Sequence, residues 1–165
     1  MKNSMKNIVN KDWVMVVLVI LMVLLSCEVF AESADPHAAQ REAAIAAMKV
    51  SLPDAQIDYA VRERDDGRYE WNIFYVQGDQ FGVCKVLEAG NQVRRVELFN
   101  PPAGALKASE AMAKLAQEKG AMEIIDLELD WDDGYLSYEG EAEMNGRRYE
   151  FEMDVDGSFI EWERD

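Results

Sequence analysis

Carboxylates are the one reactive group this chain carries in quantity. Glu139, Glu141 and Glu143, then Glu150, Glu152 and Asp154, fall on alternate residues of two short stretches. In an extended strand that spacing sets them all on one face. Such a face can attract a basic protein segment or gather cations. Paired acids can also cleave glycosides, but an acid with a raised pKa needs a pocket, and an open sheet face supplies none. The other candidates are few. His37 opens a helix with no cysteine or acid at ligand spacing, and reads as a solvated residue. Cys84 has no basic run beside it to lower its pKa and reads as a small buried apolar side chain. Ser109 and Ser137 have no histidine at a plausible place. Two cysteines and one histidine exclude a cysteine/histidine zinc framework. Asp130, Asp132, Asp133 and Glu139 resemble a calcium loop only superficially, because Gly134 is misplaced and the spacing fails. There is no glycine-rich phosphate loop, so no cofactor, no resident metal and no enzymatic activity are expected.

Charge narrows the partners further. The 165 residues hold 17 basic and 32 acidic side chains, for a net charge of −15 and a pI near 4.4. Nucleic acids and anionic membrane surfaces call for the opposite balance. Lys2, Lys6 and Lys11 precede an apolar run of 13 residues, Trp13 to Leu25. A membrane-spanning helix wants roughly 20 residues, whereas a signal-peptide core is this short. Residues 1–31 therefore read as a signal peptide ending in Val29-Phe30-Ala31, which releases a chain starting at Glu32 with no membrane span. A second reading stays open: Leu24-Leu25-Ser26-Cys27 resembles a lipobox, and Cys27 would then carry lipid. Either way the mature protein works outside the cytoplasm, in the periplasm or the medium. Cys84 is left without a disulfide partner.

The elements that position the carboxylates come as a repeat. Asp65-Asp66-Gly67 recurs as Asp132-Asp133-Gly134, Gln77-Gly78 faces Asn145-Gly146, and Gly90 faces Gly157, at offsets of 67, 68 and 67 residues. An offset of 67 also sets Ile45 on Met112, Met48 on Leu115 and Trp71 on Tyr138, while 68 sets Phe81 on Tyr149 and Val83 on Phe151. Repeats at this period signal a duplicated structural unit. The expected fold class is α+β: two tandem units, 35–100 and 101–165, each one helix packed on a four-stranded antiparallel meander. The first helix is expected to start at the Asp35-Pro36 N-cap and run to Lys49, the second to cover Ala105–Lys119 with Gly120 as its C-cap. Whether the eight strands make one sheet or two is left open.

The closing hairpin, Tyr149-Glu150-Phe151-Glu152-Met153-Asp154-Val155-Asp156-Gly157-Ser158-Phe159-Ile160-Glu161, resembles that of the PepSY family in its tandem, exported form. The first unit keeps Tyr69-Glu70-Trp71 but replaces the acidic strand with Phe81-Gly82-Val83-Cys84-Lys85. The resemblance implies a protein that restrains a peptidase or another envelope protein by binding it. Tandem helix-plus-four-strand units are also similar in architecture to the β-lactamase-inhibitor protein, without a shared motif.

Strand alternation then assigns faces. In the second unit Leu127, Leu129, Trp131, Leu136, Tyr138, Phe151 and Met153 are expected to cover the helix. The opposite face is acidic: Asp126, Glu128, Asp130, Glu139, Glu141, Glu143, Glu150, Glu152, Asp154, Glu161 and Glu163. In the first unit the matching face is expected to be greasy, through Phe74, Val76, Cys84, Val86 and Val96, with Trp71, Ile73, Tyr75, Phe81 and Val83 inward. Phase in the first strand is open, since Tyr59 and Val61 do not fall on the copies of Leu127 and Leu129. The expected partner sites are thus an apolar set (Phe74, Val76, Val86, Val96) and an acidic set (Glu128, Glu139, Glu141, Glu143, Glu152, Asp154). The expected function is an exported, non-enzymatic binding protein that inhibits or chaperones an envelope protein such as a peptidase. Two alternatives stand beside it: a cation- or small-ligand-binding module using the acidic face, and a homodimer formed through the apolar one.

Overall fold

The computed structural model describes residues 35–132, 134–158 and 160–165. Residues 1–31, the expected signal peptide, and Cys27 lie outside the described residues. No helix among the described residues is long and apolar enough to cross a membrane. The order is α1 (Ala38–Ser51), β1 (Gln56–Asp65), β2 (Arg68–Gln77), β3 (Gln80–Leu87), β4 (Gln92–Phe99), α2 (Ala108–Lys119), β5 (Glu123–Asp132), β6 (Tyr135–Met144), β7 (Arg147–Asp154) and β8 (Ile160–Arg164). The strands form two antiparallel meanders, β1-β2-β3-β4 and β5-β6-β7-β8, which answers the question of one sheet or two.

Alanine-rich sequence favours α1 intrinsically. Helical bonding begins where the Arg41 amide donates to the His37 carbonyl, so the N-cap is His37 and not Asp35. The helix stops at Leu52, whose amide still reaches Met48 O, because Pro53 disfavours helical geometry in the residue before it. Helix α2 starts at Ala108, and Ala105 to Lys107 lead into it.

The duplication holds at the corners: Gly67, Gly90, Gly134 and Gly157 all have φ between 71° and 89°. Both first strands also bulge at equivalent places, between Ile57 and Tyr59 and between Ile124 and Asp126. The turns between second and third strands differ. Asn145 and Gly146 both have positive φ (54° and 70°), a type I′ pattern, whereas in Gly78-Asp79 only the first residue does, with φ 62°, as type II′ requires. The glycine is first in one turn and second in the other. Aligning glycine with glycine gives the offset of 68; aligning the turns gives 67 throughout. One residue of slip turns every side chain of a strand over, and this corrects the expected phase of β3. Cys84 pairs with Ile73 and Val86 with Trp71, so both face α1, while Phe81 and Val83 pair with Val76 and Phe74 on the other side.

Sheet β1–β4 is therefore sandwiched. On one side Met48 and Ala44 of α1 close over Trp71, Ile73, Tyr75, Cys84 and Val86. On the other, Val61, Phe74 and Val83 join Met112 and Leu115 of α2 with Leu127, Tyr138, Phe151 and Met153 of the second sheet. Phe74 contacts the rings of Tyr59 (6.5 Å) and Tyr138 (6.4 Å) in tilted geometry. The first-strand phase is settled as well: Tyr59 and Val61 belong to this second core. Burying these faces removes large apolar areas from water, at roughly 25 cal/mol per Å². In the second unit the inward set holds, except that Trp131, near the hairpin tip, is half exposed.

Candidate functional site

The acidic face of the second sheet survives as expected, and register makes it regular. Glu128, Glu139, Glu152 and Glu161 stand directly opposite one another across four strands, and so do Asp126, Glu141, Glu150 and Glu163. Neighbouring strands lie about 4.8 Å apart and alternate residues about 6.8 Å apart. These eight side chains, with Gly140 and Phe151, line a concave groove of about 420 Å³. Directly opposed like charges cost on the order of a few tenths to 1 kcal/mol per pair, so folding alone does not favour this pattern.

Among the described residues, two cations reach the groove from its margins. Arg148 Nη1 lies 3.3 Å from Glu141. Lys85 comes from the first sheet and donates to Glu128, with Glu63 at 3.7 Å. Burial works against the Lys85 charge, but the Glu128 hydrogen bond and the fields of Glu128, Glu63 and Asp126 outweigh it and raise its pKa. Burial, reinforced by Glu63 and Glu128, pushes the Asp126 carboxyl up to about 6. Burial, then Asp130 and Glu152, raises Glu139. Among the described residues no three histidine, cysteine or acidic side chains are grouped to hold a metal ion. Calcium needs its oxygens within 2.3–2.6 Å of one point, and rows at sheet spacing do not converge so tightly.

Of the expected acidic set, Glu128, Glu139, Glu141 and Glu152 line the groove. Glu143 shares their face one row out, opposite Glu123 and Arg148, and Asp154 sits opposite Ser137. The expected apolar set does not come together. Phe74 is buried against the second unit and Val86 beneath α1. Val76 is half-buried. Val96 pairs with Cys84, which turns it to the α1 side of an edge strand, where it is half exposed. The greasy face is thus occupied within the chain, and no continuous apolar docking surface is left there.

At the uniform offset of 67, Val61, Phe74 and Val83 correspond to Glu128, Glu141 and Glu150. The groove is therefore the twin of the face on which the first sheet seats the second unit. Lys85 stands where the copy has Glu152, and the 68-residue alignment hid that exchange. Asp58, the extra residue of the β1 bulge, was also missed. Its carboxylate accepts from the Ser109 amide (2.9 Å) and hydroxyl (2.6 Å) and caps α2 from the other unit.

Comparison with curated proteins gives no match. A solved chain from Clostridium difficile 630, described as a candidate lipoprotein, is 16% identical and superposes with a TM-score of 0.40, covering 74% of this chain and 90% of its own. Residues 105–156, from the lead-in of α2 to the turn after β7, match the PepSY family, described as the peptidase propeptide and YPEB domain, so the trailing unit is PepSY-like as its closing hairpin suggests.

Proposed function

We propose that this is an exported, non-enzymatic binding protein that holds a basic segment of an envelope protein, such as a peptidase, in the acidic groove. One observation carries the reading: eight carboxylates in two cross-strand rows occupy the face that, in the sister unit, seats another protein surface. Charge of this density steers a cationic partner and sets its orientation, with affinity added by contact in the groove. The PepSY likeness supports a role in restraint rather than catalysis.

An oligolysine peptide titrated into the protein at low and physiological salt tests the groove. Binding that weakens with salt and vanishes in the variant Glu139→Gln, Glu141→Gln, Glu150→Gln, Glu152→Gln supports it. Equal binding by that variant overturns it. A thermolysin-type peptidase is the first whole partner to assay; unchanged turnover in the presence of the protein removes that partner class.

A further inference from the structure

The groove opens at one end onto the seam between the units, and the polar groups there do not balance. Asn72 of β2 is fully buried and its Oδ1 has no hydrogen-bond partner. Its Nδ2 faces three acceptors: Glu63 Oε2 at 2.9 Å, Leu127 O at 3.2 Å and Asp126 Oδ1 at 3.5 Å. An amide nitrogen has two hydrogens, so one acceptor stays short. Reversing the amide would set its oxygen against all three, so the orientation is fixed by its surroundings. Among the described residues, Lys85 is the one ammonium shared by Glu63, Asp126 and Glu128. On the groove side Asp126 stands opposite Glu141, with Glu150 one strand further. Arg148 is committed to Glu141. The Leu127 amide also donates to Asp126, but three carboxylates still share one ammonium and Asn72 Nδ2 still has one acceptor too many, and one added proton eases both.

We infer that the seam holds one proton, lodged on Asp126 among Glu63, Glu128 and Asn72, and that a cationic segment entering the groove displaces it. The displacement rests on the groove reading above; the proton does not. A bound carboxyl becomes a donor among Asn72, Glu63 and Glu128, and the charge it removes lies at the groove mouth. A cation arriving there stabilises the ionised form instead. Basic-segment binding therefore releases a proton, and it tightens as pH rises through the range in which the proton would otherwise stay.

Carboxyl carbon NMR of the labelled protein between pH 4.5 and 8 reads the proton directly. One carboxyl titrating near pH 6, missing in Asp126→Asn and moved higher in Lys85→Met, is expected; a spectrum without it overturns the inference. Calorimetry of oligolysine binding at pH 6, in two buffers of different ionisation enthalpy, reads the displacement. About half a proton released per peptide is expected from a midpoint near 6, with none released by Asp126→Asn. Binding without proton release overturns the displacement and leaves the groove intact. No binding at all overturns the groove reading and the displacement together, and the titration then judges the proton alone.

Discussion

Replacing Asp126 with asparagine removes an ionisation from the seam while keeping the side chain's shape. In the folded protein this carboxyl titrates at about 6, against 3.8 for an unperturbed group. A carboxyl whose folded pKa is raised contributes stability below its unfolded value and loses it as pH climbs through the folded value. That rise corresponds to a ceiling of about 3 kcal/mol. Asp126 is only half-buried, and screening by solvent reduces the figure to about 1–2 kcal/mol. Asparagine avoids the penalty and brings an amide donor to the side of Glu63 and Glu128. Urea denaturation of both proteins at pH 5, 6, 7 and 8 measures the difference. The variant is expected to gain on the wild type by about 0.5–1 kcal/mol between pH 5 and pH 7.5, or a few °C in Tm, because part of the loss already falls between 3.8 and 5. A difference that stays constant with pH, or a variant less stable at pH 7.5, refutes the charge reasoning.

Four further outcomes are expected. Phe74→Ala opens a cavity between the units and costs about 3–5 kcal/mol, with faster limited proteolysis of the 99–108 linker as a second readout. Asp58→Ala removes the cap of α2 and costs about 0.5–2 kcal/mol in a thermal melt. Cys84, buried and with its thiol pushed up to about 11 by desolvation, stays unlabelled by a thiol reagent at pH 8 until the protein is unfolded; immediate labelling contradicts its packing. Lysine at Glu141, Glu143 and Glu152 together slows oligolysine association at low salt by about tenfold or more, and an unchanged rate removes the steering.

Much of this was legible beforehand because duplication writes the same turn twice. The glycine corners, the two helices and the acidic alternation in β6 and β7 all follow from local chemistry: positive φ, alanine-rich stretches and the strand period of two. What escaped is what depends on turn type and on distant partners. Gly78 and Gly146 look equivalent as residues but occupy different places in their turns, and that difference moved Cys84 and Val86 to the wrong side. Phe74 was correctly placed on the outer face of its strand. Only the tertiary structure shows that α2 and the second sheet already cover it. Asp58 and Asn72 act on groups more than fifty residues away, and no local pattern announces such a pairing.

The seat on the first sheet and its twin on the second have a consequence for the whole assembly. The surface that docks, built from α2 and the inner side of the second sheet, differs from the surface that receives it. A contact of that head-to-tail kind does not pair off as a two-fold contact does; it runs on to a further copy, into a ring or an open filament. Had Val61, Phe74 and Val83 been copied unchanged to positions 128, 141 and 150, each molecule would present a second apolar receiver, open to a further unit of the same kind. Glutamate at all three positions terminates the series at two.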